Sequence, residues 1–133
     1  MDNLFSTFRF ISGEVSYDTK DVFFVKLDPN ISTTDELFNA LYYTLWFPGY
    51  FGFNWNALED CLSDFEWIGE YQIVIFHSRL PGIPDSDLKV YLEILRDVVI
   101  KWRGYDNHQF DVLFNESDRV AIEHIFLLGK EMS

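Results

Sequence analysis

From Leu27 to Ser78 the chain contains no lysine and no arginine. The same stretch carries Asp28, Asp35, Glu36, Glu59, Asp60, Asp64, Glu66 and Glu70. Much of the net charge of −12, from 22 acidic and 10 basic residues, is therefore gathered in the middle of the chain. A negative field repels phosphate, so nucleic acid is not expected as a direct ligand. The same field draws in a cationic partner. Surface acids can also serve solubility alone, and charge by itself leaves both readings open.

Other absences narrow the field. There is one cysteine, Cys61, so no intramolecular disulfide can form. No run of about 20 apolar residues exists to span a bilayer. The opening Met1-Asp2-Asn3-Leu4 is not a basic segment followed by an apolar one, so no signal peptide is expected. A cytoplasmic, reducing location is the resulting expectation, with no membrane partner. There is no glycine-rich phosphate loop and no G-x-S-x-G elbow. None of His77, His108 and His124 stands at metal-ligand spacing from another ligand, so no metal or other cofactor is expected. Internal repeats, low-complexity tracts and linkers are also missing.

What is present is material for a core. Of 133 residues, 48% are hydrophobic and 19% aromatic. The length fits a single domain over residues 1–133. A domain of this size buries roughly two-thirds of the surface of its unfolded chain.

The apolar pattern alternates strands and helices. The N-terminal stretch holds Phe5, Phe8 and Phe10, and the alternation from Phe8 to Ile11 suggests a strand. Gly13 to Asp21 is polar and turn-like. Val22 to Leu27 is a β-rich run closed by Asp28-Pro29-Asn30. Thr33 and Glu36 have capping-box spacing, and Leu37, Ala40, Leu41, Thr44 and Leu45 follow at helical spacing. Pro48-Gly49 stops that helix. A second helix begins near Asn54 or Asn56, both good N-cap residues, and buries Leu58, Cys61, Leu62 and Phe65. Tyr71 to His77 is the next strand. The longest helix runs from about Ser86 to Arg103 on a stripe of Leu88, Tyr91, Leu92, Leu95, Val98, Val99 and Trp102, with Gly104 as its stop. Phe110 to Phe114 is another strand. The segment from Asp118 to Leu128 suits either a helix or a strand. Strands joined by helical crossovers pair in parallel. The expected fold is a small α/β domain with a parallel sheet of at least three strands.

Catalytic constellations are hard to find. His77 follows a strand and reads as a satisfied structural residue. Cys61 lies on an apolar face and reads as inert packing. Asp60 and Asp64, four apart, could share acid–base work, but no His, Lys or Tyr is placed to complete a site. No catalytic residue is assigned, although groups converging from distant segments leave an enzyme open.

Residues 47–65 say more. With Leu58 at zero on a wheel of 100° per residue, Cys61, Leu62 and Phe65 cluster around it. Asn56, Asp60 and Ser63 fall near the opposite pole. The helix thus has one core face and one short acidic face, preceded by Tyr50, Phe53 and Trp55. Each aromatic alone could be packing. Aromatics beside carboxylates, in a segment without a basic residue, are the composition of a binding hot spot.

The run Phe47-Pro48-Gly49-Tyr50-Phe51-Gly52-Phe53-Asn54-Trp55-Asn56-Ala57-Leu58-Glu59-Asp60-Cys61-Leu62 resembles the signature of the barstar family. The flanking strands and helices fit as well. The resemblance spans roughly residues 22–115 and leaves 1–21 and 116–133 as terminal additions. It implies a barstar-like fold and an intracellular inhibitor of a ribonuclease, or an immunity protein against a toxic domain. In that family the signature helix and the loop before it enter the nuclease active site, with acids standing in for phosphate. The resemblance implies that Tyr50 and Gly52 line the loop contact and that Asn54, Trp55, Asn56 and Asp60 face the toxin. Asp60 takes the position of the family's dominant acid. Asn56 stands where the pattern has Asp, and Glu59 stands where barstar has an aromatic, so the basic groups recognised differ in arrangement. Asp97 is a further candidate contact acid. The expected partner-binding surface is Tyr50, Gly52, Phe53, Asn54, Trp55, Asn56, Glu59, Asp60, Ser63 and Asp64, and the expected partner a basic ribonuclease domain. A toxin of another kind (a DNase or a nucleotide-modifying enzyme), or a general protein-interaction module, remains an alternative.

Overall fold

The structure, a computed structural model, describes residues 7–13 and 20–131. Phe5 and most of the turn-like segment, residues 14–19, lie outside them. The elements run β1 (Arg9–Ile11), β2 (Val22–Leu27), α1 (Thr34–Thr44), α2 (Trp55–Leu62), β3 (Gln72–His77), α3 (Asp85–Trp102), β4 (Gln109–Asn115), a single 3-10 turn (Glu116–Asp118) and α4 (Arg119–Glu131). The sheet has four strands in the order β1-β4-β3-β2, and every pairing is parallel. The fold is α/β with a parallel sheet, as expected, and β1 is a fourth strand beside β4.

The pleat sorts the strand residues between two faces. Ile73, Ile75, Phe110, Val112 and Phe114 join one large core with Leu37 and Leu41 of α1, Leu58 and Leu62 of α2, and Tyr91, Leu92 and Leu95 of α3. Phe8, just before β1, and Ile122 and Ile125 of α4 belong to the same core. The terminal additions are thus packed into it. On the opposite face a smaller cluster forms from Val74, Phe76 and Leu113. Among the described residues no helix is long and apolar enough to cross a membrane.

Local chemistry sets the helix ends. Thr33 is the N-cap of α1, and its hydroxyl accepts from the Glu36 N–H at 3.1 Å. The Glu36 carboxylate accepts from the hydroxyls of Ser32 (2.9 Å) and Thr33 (3.1 Å), which lowers its pKa. The capping box is therefore closed largely through side chains. Thr33→Ala is expected to cost about 1 kcal/mol of stability, read as a lower urea midpoint at unchanged slope. An unmoved midpoint would remove the cap from the account. α3 starts at Asp85 after Pro84 and ends at Trp102, one residue earlier at each end than its pattern suggested. Its C-cap, Arg103, is right-handed. Among the described glycines only Gly13 has a positive φ, so Gly104 follows the stop without the left-handed turn expected of it.

Candidate partner-binding site

The chain between α1 and α2 is built to hold α2 at a fixed angle. Trp67 donates its indole N–H to the Leu45 carbonyl at 2.9 Å, and Trp102 donates to the Leu62 carbonyl at 2.8 Å. These bonds tie down the last residues at the ends of α1 and α2. Asn54 is the N-cap of α2: its Oδ1 accepts from the Ala57 N–H at 2.8 Å and its Nδ2 donates to the Gly52 carbonyl at 3.2 Å. A Cβ on residue 52 would lie 3.0 Å from that Nδ2, so the site favours glycine. At the other end Phe65, buried at φ 49°, stacks on Trp102 and packs against Phe110. Leu58, Cys61 and Leu62 anchor the inner face of α2 with at most 1% of their surface exposed.

The outer face is the acidic one. Asn56, Glu59 and Asp60 are exposed. Ion pairs among the described residues join Lys89–Glu93, Arg96–Asp97 and Arg119 with Glu116 and Glu123, so none reaches α2. The carboxylates of Glu59 and Asp60 stay open to solvent with no hydrogen-bond partner among the described residues. Asp64, just past the helix, accepts from the Glu66 N–H at 3.2 Å. The Tyr50 pKa is raised, first by desolvation and then by the Asp64 carboxylate. Ser63 is half-buried as the C-cap of α2. The Cys61 thiol is pushed up to about 11 by burial and by the nearby Asp64 and Asp60, which keeps it protonated and unreactive.

The residues singled out from sequence thus come together on one side, but not all are free to bind. Tyr50 (70% exposed), Gly52 and Phe53 project from the loop. Phe53 holds a strained φ of 53° and packs on Tyr42 and Phe51. Trp55 is half-buried, with its ring 4.7 Å from that of Phe38, so much of it serves packing. Both polar ends of the Asn54 side chain are already bonded within the chain. Asp97 is exposed on α3 and paired with Arg96 at 3.2 Å. Sequence reasoning missed the neighbouring aromatics Tyr43 and Trp46, which are 70% and 71% exposed. Their position off the apolar stripe of α1 was the available signal.

Two histidines are in structural use. His77 is fully buried between β3 and α3, and His108 is buried with its Nδ1 3.2 Å from the Tyr71 carbonyl. No cluster of three His, Cys, Asp or Glu among the described residues could hold a metal ion.

A parallel sheet with a large helical core on one face, and an acidic helix edge without an ion pair among the described residues, define a small α/β protein. The family model described as barstar (barnase inhibitor) matches residues 22–115, and the chain belongs to the barstar family. No curated protein matches it. The family is one of inhibitors rather than an enzyme class, and its members act on a protein partner.

Proposed function

We propose that this chain is an immunity-type inhibitor that enters and blocks the active site of a cognate toxin, a basic ribonuclease, inside the cytoplasm. One observation carries the reading: Asp60 and Glu59 stand exposed on a helix fixed at both ends, and neither is in an ion pair among the described residues. A ribonuclease needs Arg, Lys or His to hold phosphate, and carboxylates on a rigid edge satisfy the same cations through short charge-assisted bonds. Tyr50, Gly52 and Phe53 supply the apolar rim beside them. The whole chain acts as one barstar-like domain, with its terminal additions as buttresses.

The test is an RNA-degradation assay on any toxin domain found encoded beside the gene and on barnase, with and without stoichiometric full-length chain. Loss of cleavage with formation of a one-to-one complex supports the reading, and undiminished cleavage by both enzymes removes it. Asn56 and Glu59 depart from the family pattern, which favours a toxin with differently placed cations. A DNase or a nucleotide-modifying toxin offers such a cleft too, and the same assay on DNA or nucleotide substrate separates these.

Association should be electrostatically steered. The on-rate is expected to fall severalfold or more between 50 and 500 mM salt, as measured by stopped-flow fluorescence. An on-rate indifferent to salt would leave the acidic middle of the chain without a role in encounter.

A further inference from the structure

Building on that reading, we infer that the binding surface continues past the signature loop onto the end of α1. There Tyr43 and Trp46 receive an exposed apolar patch of the same basic toxin, beside its cationic cleft.

Among the described residues nine large apolar side chains are exposed, and four of them, Tyr43, Trp46, Tyr50 and Phe53, fall within residues 43–53. Rings link two of these positions, Phe53 and Tyr43, through Tyr42. Phe53 lies 5.2 Å from Tyr42, and Tyr42 lies 5.1 Å from Tyr43. Tyr42 also stacks on Phe51, which is buried. The outer rings therefore rest on a fixed base and lose little freedom when covered.

Trp46 gives a second, independent reason. The Phe47 N–H reaches back to the Tyr42 carbonyl at 3.1 Å, the bond that closes a helix in a Schellman turn. In that turn the residue between cap and closing N–H is left-handed and is most often glycine. Here it is Trp46, at φ 56°, with its indole mostly in solvent. Among the described residues its ring meets that of the edge-strand residue Phe23, with centroids 6.1 Å apart. A bulky residue in this conformation is strained, and little packing is visible to offset the strain. Strain kept at an exposed position points to use of the side chain by something outside the chain.

Charge selects the occupant. Single-stranded nucleic acid stacks on aromatics that are interleaved with basic residues, and residues 27–78 have none. A second copy of the chain would bring another net charge of −12 against the first. A basic protein with apolar groups flanking its cleft fits both the rings and the field.

The experiment compares the full-length chain with Tyr43→Ala, Trp46→Gly and Asp60→Ala. The probes are barnase and any toxin domain found encoded beside the gene, with affinity, on- and off-rates, Tm and self-association measured for each variant. Tyr43→Ala and Trp46→Gly are each expected to weaken binding about tenfold through faster dissociation, with the on-rate and its salt dependence kept. The Tm of Trp46→Gly should stay level or rise. Affinities within twofold for both aromatic variants, beside a large loss for Asp60→Ala, would overturn the extension and leave the inhibitor reading standing. A fall in Tm of more than about 5 °C for Trp46→Gly would assign that ring to the fold. Dimerisation of the wild type that Trp46→Gly abolishes would make a second copy the occupant and overturn the inference. Failure of the wild type to bind either enzyme would remove the parent reading and this one together.

Discussion

Replacing Asp60 with alanine is expected to weaken binding to the cognate toxin at least about 30-fold, or about 2 kcal/mol, without lowering the stability of the free chain. The two halves of this expectation have separate causes. Stability is spared because the carboxylate is exposed and makes no ion pair among the described residues, while Leu58, Cys61 and Leu62 keep α2 docked from its other face. Binding suffers because the complex removes water from both partners. A cationic cleft closed over an alanine retains buried positive charges with nothing to meet them, and an unpaired buried charge costs more than the pair was worth. Helix rigidity matters to the size of the loss. The Asn54 cap and the Trp102 bond to the Leu62 carbonyl hold the helix carrying Asp60 before the partner arrives, so little ordering entropy offsets the contact. Calorimetric titration of wild type and variant, with thermal melts of both, reads the two halves together. An Asp60→Ala variant that binds within threefold of wild type would end the role assigned to this residue.

How far the sequence foretold these features depends on the range of the forces involved. Helical spacing alone placed Leu58, Cys61 and Leu62 inside and Asn56 and Asp60 outside, because a short amphipathic helix has one way to bury its stripe. Asn54 was legible as a cap for the same local reason. The tail was not. Val120, Ile122, Ile125 and Leu127 suit a strand or a helix equally well, and tertiary packing decides. Ile122 and Ile125, three apart, bury together as a helix, while Val120 and Leu127 stay 74% and 51% exposed. Asn115 helps by accepting from the Ser117 N–H and opening the turn that leads into α4. The short strand β1 takes its place beside β4, through the register Arg9–Leu113 to Ile11–Asn115. At the site, the half-burial of Trp55 on Phe38 joins residues 17 positions apart in sequence, beyond the reach of any periodic pattern.

Lowering the pH from 7 to 4.5 should destabilise the free protein through one buried ring, that of His77. Its Nδ1 lies 3.1 Å from the Leu113 carbonyl, which can only accept, so Nδ1 carries the proton. Nε2 then accepts from the Tyr91 hydroxyl at 2.7 Å. The ring is also stacked on Phe114, with centroids 4.3 Å apart, and has no exposed surface. A second proton would leave Tyr91 as a donor with no acceptor and place a charge in an apolar core. Burial lowers the His77 pKa to about 4, against the opposing bond to Leu113. In the unfolded chain a histidine titrates near 6.5. Between those two values the unfolded state binds a proton that the folded state refuses, so stability rises with pH across the window. The contribution is whole above about 6.5 and is lost as pH falls towards 4, amounting to roughly 3 kcal/mol. Urea titrations of wild type and His77→Gln at pH 7.5 and 4.5 isolate the ring from the 22 acidic residues, because the variant should show a shallower pH dependence. Should His77→Gln not fold, the wild-type His77 ring resonance still decides, since it should not titrate between pH 8 and 5. A ring that titrates near 6.5 in the folded protein would refute the account. The effect reaches the site because Tyr91 lies beneath Trp55 at 6.4 Å, at the start of α2. Acid that loosens β3 from α3 therefore also loosens the edge on which Asp60 is carried.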